Sequence, residues 1–323
     1  MGKVLVTGAA GFIGSHVVQA LTTSGQSVVG VDNFDPFYPR AQKEANLAAI
    51  GERRTAGDGL TFCEADIREQ DVLAAIMAEH DVRAIIHLAA KAGVRPSLAA
   101  PRDYVDVNVG GTVSVLEAAR KAGIARFVFV SSSSVYGAAN AVPFREDQPV
   151  QSPMSPYAAS KIAAETMCYA YHHLYGLHIS CLRFFTVYGP RQRPDLAINS
   201  FVRRMAAGEP LQIYGDGTST RDYTYVGDIV AGVLAAIDRD LGFATINLGS
   251  ARPASVLDLI AALRDVTGLE PRIEYLPAMP GDMPHTFADI SRAKALLGWE
   301  PKVLLREGLD AFVQWWHSPQ RVH

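Results

Sequence analysis

The stretch Val4-Leu5-Val6-Thr7-Gly8-Ala9-Ala10-Gly11-Phe12-Ile13-Gly14 decides the fold. An apolar, strand-forming run ends in three glycines spaced G-x-x-G-x-x-G, and a helical pattern opens at Phe12. Glycine reaches backbone conformations closed to other residues and lets the chain approach a pyrophosphate closely. A helix starting there offers that anion unpaired N–H groups and a partial positive charge. Asp32 closes the next apolar run, eighteen residues past Gly14, near the offset at which a carboxylate accepts from a ribose 2′-hydroxyl. A carboxylate there would repel a 2′-phosphate, so the pattern points to NAD rather than NADP. Turn glycines and a solvated aspartate are the plainer alternative; the strand before and the helix after favour a dinucleotide site.

Outward from that turn, strands read at 4–7, 27–31, 60–64, 84–88 and 127–131, with helices at 12–24, 72–79 and 104–122. Uniformly apolar strands separated by helices imply a parallel sheet covered on both faces. The expected fold is α/β, a doubly wound Rossmann-like parallel sheet. Beyond about residue 190 Gly and Pro recur more often, as in Tyr188-Gly189-Pro190 and Tyr214-Gly215-Asp216-Gly217. Helices remain readable at 199–207, 229–237, 256–266 and 308–316. We therefore expect residues 1–185 to form the NAD-binding domain, with later segments returning to it. Residues 186–323 should mainly form a smaller mixed α/β substrate-binding cap.

The composition fits a folded globular chain: of 323 residues, 49% are apolar and 20% charged. Thirty Lys and Arg against 33 Asp and Glu give a charge of −3, without the cationic footprint of a general nucleic-acid binder. No apolar run approaches the ~18 residues that span a bilayer, and the start lacks signal-peptide layout. Three cysteines without paired spacing argue against a disulfide framework, and the nine histidines show no metal-ligand spacing. A cytoplasmic, metal-free protein with no nucleic-acid or membrane partner is the expectation.

Tyr157-Ala158-Ala159-Ser160-Lys161 sets a phenol and an ammonium on one face of a helix that Pro156 can start. A nearby cation favours the phenolate, which could take a proton from a sugar hydroxyl while hydride leaves the same carbon. Alone, Y-x-x-x-K would suit an ordinary surface. Ser131-Ser132-Ser133-Ser134, however, ends the strand at 127–131, where open parallel sheets bind ligands. His87 follows a buried strand and reads as structural, and Phe312, Trp315 and Trp316 read as packing.

Together these residues resemble the extended short-chain dehydrogenase/reductase family, in particular its nucleotide-sugar epimerases, over nearly the whole chain. The likeness rests on the T-G-x-x-G-x-x-G turn from Thr7 to Gly14, the Asp66-Ile67 pair, and His87-Leu88-Ala89-Ala90 with Lys91. It rests also on Asn108, on Ser132-Ser133-Ser134-Val135-Tyr136-Gly137, and on Tyr157 with Lys161. The resemblance implies an NAD site built from Gly8, Gly11, Phe12, Ile13, Gly14, Asp32 and Asn33. Asp66, Ile67, Leu88, Ala89, Ala90, Lys91, Asn108, Tyr157, Lys161 and Phe184 would complete it. It also implies that Tyr157 is the base toward O4, assisted by Ser132, while C4 gives hydride to NAD and takes it back on the other face. Family dehydratases and decarboxylases carry carboxylates where Ser133 and Ser134 stand, so epimerisation is the implied chemistry.

On the substrate side, Arg183 to Asp195 is similar to the segment of UDP-glucuronate 4-epimerases. By that likeness Thr186 and Arg193 receive the sugar carboxylate, a task suited to an arginine and a hydroxyl donor. Ser132, Ser133 and Ser134 would meet the sugar, Gln212 and Tyr214 the uracil, Arg221 the diphosphate, and Asp282 the cap turn. Met279 stands where relatives carry a further arginine, and Arg95 is another possible anion contact. The reading is a UDP-glucuronate/UDP-galacturonate 4-epimerase with tightly bound NAD, expected to form a homodimer through helices 104–122 and 157–175. UDP-glucose/UDP-galactose epimerisation is the nearest alternative. A UDP-glucuronate decarboxylase, a sugar-nucleotide reductase and a non-catalytic NAD sensor are more distant ones.

Overall fold

In a computed structural model of the chain, residues 2–51, 59–277 and 283–321 are described. Strands and helices alternate as β1 (Lys3–Thr7), α1 (Phe12–Thr23), β2 (Val28–Asp32), α2 (Arg40–Gly51), β3 (Leu60–Glu64), α3 (Gln70–Glu79) and β4 (Val82–His87). Two short helices, α4 (Val94–Ala99) and α5 (Pro101–Tyr104), lead through a π-helical turn at Val105–Gly111 into α6 (Thr112–Lys121). Next come β5 (Arg126–Ser132), a 3-10 turn at Ser133–Tyr136, α7 (Pro156–Tyr175) and β6 (His178–Phe184).

The chain then leaves the sheet through β7 (Thr186–Tyr188), α8 (Ala197–Ala206), β8 (Leu211–Tyr214), β9 (Thr220–Arg221) and β10 (Tyr223–Tyr225). It returns with α9 (Val226–Ile237) and β11 (Phe243–Leu248), and leaves again through β12 (Ala254–Ser255), α10 (Val256–Thr267) and β13 (Ile273–Leu276). The described chain closes with α11 (Ser291–Leu297) and α12 (Leu305–Trp316).

Seven strands form one sheet in the order β11-β6-β5-β4-β1-β2-β3, and every pairing in it is parallel. β2 is buried at all five positions, as valine-rich strands covered on both faces must be. One face packs on α1, α9 and α11 through Val18, Leu21, Ile229, Val233 and Leu297. The other packs on α3, α6 and α7 through Leu73, Met77, Leu116 and Cys168. A third core joins α8, β8, α10 and α12, and there Phe312, Trp315 and Trp316 are buried.

One expected helix is more complex than its periodicity suggested, one helix was missed, and one is placed by its packing. The helix expected over 104–122 is present and runs through α5, the π turn and α6; a Cβ at Gly111 would sit only 2.6 Å from Ile67 Cδ1, so the widened turn lies tight against β3's exit loop. α2 was not legible, because its buried face is half polar: Lys43, Asn46, Ala49 and Ile50. The helix expected at 229–237 covers the main sheet beside α1.

Candidate active site

Strand order reverses between β1 and β4, and ligands bind outside the strand C-termini at such a switch point. A cavity of about 480 Å³ opens there. Gly8 turns the chain at φ +70°, and a Cβ on Gly14 would lie 1.9 Å from the Gly8 carbonyl oxygen. α1 begins after Gly11 with no side-chain cap and no acidic residue in its first turn. Its N–H groups therefore remain available to an anion. Asp32 is buried; its carboxylate accepts from the amides of Ala10 (3.1 Å) and Phe34 (2.9 Å), with Lys43 Nζ at 3.6 Å. A cradle that a side chain would fill, an open helix start and a fixed carboxylate fit a dinucleotide.

Gly8, Gly11, Phe12, Ile13, Gly14, Asp32, Asn33 and Ile67 all line the cavity, as do Leu88, Ala89, Ala90, Lys91 and Phe184. Asp66 lies just behind this wall. It accepts from Asn33 Nδ2 at 2.8 Å, and the Arg68 guanidinium beside it holds its carboxyl down at about 2. Asn108, expected near the cofactor, is also off the wall and is joined to it through Lys91. Its amide donates to the Lys91 carbonyl (3.0 Å) and to Ser160 Oγ (2.9 Å), and its Oδ1 accepts from the Lys91 amide (2.8 Å). Ser160 in turn donates to the Tyr157 carbonyl at 2.8 Å. The π turn thus ties the cavity floor to α7.

His87 lies between the hydroxyls of Thr7 (2.7 Å) and Thr112 (3.0 Å). Burial, aided by the Lys161 charge, pushes its imidazole down to about 3, so the ring is neutral and structural.

The chemistry-bearing groups converge from β5 and α7. α7 starts on Ser155, whose side chain accepts from the Ala158 amide at 3.1 Å, with Pro156 in the first position. Ser132 Oγ accepts from Ser134 N (3.2 Å) and Ser134 Oγ (2.9 Å), opening the 3-10 turn. Lys161 Nζ donates to the Val130 carbonyl at 2.9 Å, and burial pushes the ammonium down to about 8. Burial also pushes the Tyr157 phenol above its ordinary value, against the pull of a Ser132 hydrogen bond and the Arg193 charge. The net shift of the phenol in the ligand-free chain is upward.

Ser132, Ser133, Ser134, Tyr157, Lys161, Thr186 and Arg193 share this one cavity. The Thr186 amide donates to the Asp222 carbonyl at 3.0 Å, setting the strand that carries it. Arg193 makes a two-pronged pair with Asp195 at 2.9 and 2.8 Å, and its guanidinium carbon lies 5.1 Å from the Phe37 ring centroid. Burial opposes the arginine's charge, but Asp195 outweighs it and raises its basicity.

Gln212, Tyr214 and Arg221 are not brought to this cavity. Tyr214 lies under the Arg95 guanidinium at 4.4 Å, and Arg221 donates to the Thr220 carbonyl at 2.9 Å. Gln212 accepts from Arg204 at 3.3 Å. Asp282 and Met279 fall outside the described residues. The sequence reading assigned no role to Phe37, Tyr38 and Lys43, which also line the cavity; the aromatic pair five and six residues past Asp32 was the available signal.

Among the described residues no His, Cys, Asp and Glu cluster could hold a metal ion, and no helix is long and apolar enough to cross a membrane. Residues 4–249 match the NAD dependent epimerase/dehydratase family. The chain is 43% identical to the UDP-glucuronate 4-epimerase of Thermodesulfobacterium geofontis, over 98% of this chain and 96% of that protein. The UDP-glucuronic acid 4-epimerase of Bacillus cereus, solved in complex with UDP-glucuronic acid and NAD, superposes with a TM-score of 0.90 at 38% identity. That match covers 97% of this chain and 98% of the other. The UDP-glucose 4-epimerase of Thermotoga maritima, solved with UDP-glucose, superposes with a TM-score of 0.87 at 35% identity, covering 97% and 98%.

Proposed function

This chain belongs to the NAD-dependent epimerase/dehydratase family, and from that premise we propose that it inverts C4 of a UDP-hexuronate, interconverting UDP-glucuronate and UDP-galacturonate. The observation that carries the reading is the meeting of Tyr157 and Ser132 with Arg193 and Thr186 on the walls of one cavity. An acid–base pair and a carboxylate receptor then face the same small ligand.

Bound NAD supplies the hydride acceptor and donor for C4. Tyr157 takes the O4 proton and later returns it, and the Ser132 hydroxyl donates to that oxygen as it becomes a ketone. Lys161, held by the Val130 carbonyl, contributes positive charge that favours the phenolate from behind. Ser133 and Ser134 carry no carboxylate, so no acid–base group stands ready for dehydration or decarboxylation, and small hydroxyls leave the 4-keto sugar room to turn. Arg193 offers the sugar acid its remaining N–H groups, and Thr186 its hydroxyl.

Gln212, Tyr214, Arg221 and Asp282 form the UDP side of this proposal, with residues 1–185 as the cofactor half and 186–323 mainly as the cap. Tyr169, Leu174 and Tyr175 leave half or more of their surface exposed on α7, which favours a homodimer through this helix; sedimentation should give twice the chain mass. The three free cysteines and a nucleotide-sugar substrate favour a cytoplasmic setting. The deciding experiment incubates the protein with UDP-glucuronate and UDP-glucose in parallel, without added cofactor, and follows the products by NMR. UDP-galacturonate is the expected product; turnover of UDP-glucose alone, or released CO2, would overturn the reading.

A further inference from the structure

We propose that Tyr38, on the loop between β2 and α2, is a ligand of the dinucleotide diphosphate. The proposal rests on the NAD site described above and adds a donor to it. Tyr38 is only 8% exposed, and its hydroxyl has no hydrogen-bond partner. Buried hydroxyls without a partner are costly and uncommon in folded proteins. This one lies where the open start of α1 faces the cavity: its oxygen is 4.0 Å from the position a Cβ on Gly11 would take. The Phe12 amide is close enough to act on the phenol, although no hydrogen bond of ordinary geometry joins the two.

The surroundings specify what is missing. Backbone N–H groups at the start of α1 and the Tyr38 O–H are all donors, and they converge on the same wall of the cavity. An anionic oxygen is the acceptor that satisfies both sets. Burial and the neighbouring Asp32 charge push the phenol well above its ordinary value, which keeps the proton on the oxygen. The ring is held independently of any ligand, with Lys43 Nζ 4.9 Å from its centroid and the same ammonium donating to the Asp35 carbonyl at 3.0 Å. Tyr38 therefore offers a preset donor rather than one recruited on binding.

The test uses the full chain stripped of nucleotide, unaltered and as Tyr38→Phe, titrated with NAD, ADP-ribose, adenosine and UDP. A lost hydrogen bond to a charged oxygen should weaken NAD and ADP-ribose by about 10-fold or more. Adenosine, which lacks the diphosphate, and UDP, which probes the substrate side, should bind as before. Removing an unpaired buried hydroxyl should leave the thermal midpoint of the ligand-free protein unchanged or raised. Equal NAD affinity in the two proteins would overturn the proposal, as would a matching loss for adenosine or a loss confined to UDP. Failure of the unaltered chain to bind NAD at all would overturn the cofactor reading together with it.

Discussion

At Tyr157 two opposing influences meet: burial keeps the proton on the phenol, while Ser132 and Arg193 draw it off. Replacing Tyr157 by Phe removes the proposed base without changing the ring, so kcat should fall about 10²-fold or more. NAD binding, followed by fluorescence, should persist. Arg193 is proposed to meet a different part of the ligand. Arg193→Gln should raise KM for UDP-glucuronate by about 10-fold or more, the scale of one charge-assisted hydrogen bond. Steady-state kinetics should show a much smaller change with UDP-glucose. The acid–base residues were legible because their spacing and their place after β5 are written in the chain. The Asp195 partner was less so: it stands two residues from Arg193, and only the folded loop turns the pair face to face.

Among the elements, α7 carries both Tyr157 and Lys161, and it is pinned to β6 by a buried pair. Arg183 donates to Glu165 at 3.0 and 2.8 Å, and the guanidinium lies 4.8 Å from the Tyr136 ring centroid. Glu165→Ala would leave that cation buried and unpaired, a loss of about 3–5 kcal/mol in urea unfolding. Replacing both partners with methionine should recover most of it, because the penalty comes from the stranded charge. Sequence periodicity revealed the strands and helices whose buried faces are apolar, α1 and β2 among them. It missed α2, where Lys43 and Asn46 face inward, and it ran through the π turn, whose extra residue per turn leaves no mark in the apolar pattern. Both exceptions lie beside the cavity, where polar side chains are buried for the ligand or for its walls.

For the molecule as a whole, the sheet is held at its centre by a neutral histidine. Burial pushes the folded His87 imidazole down to about 3, whereas in an unfolded chain it has its ordinary value near 6.5. Between those values the unfolded state binds the extra proton, so stability falls as the solution is acidified. The slope should reach about 1.4 kcal/mol per pH unit from this one residue. Unfolding titrations of His87→Gln should show a flatter acid limb than the unaltered protein. The doubly wound parallel architecture was readable from five strands in the first half of the chain, and β6 and the full seven-strand order were not. β11 was not, because its place is set by pairing with β6, across a segment of cap that separates the two in sequence.

The amide of Asn108 reaches the Lys91 backbone on one side and, through Ser160, the Tyr157 backbone on the other. A single bolt therefore fastens the proposed cofactor ledge to the arm that carries the phenol. On the proposed mechanism, the spacing between that ledge and the phenol is set by the scaffold before any ligand arrives.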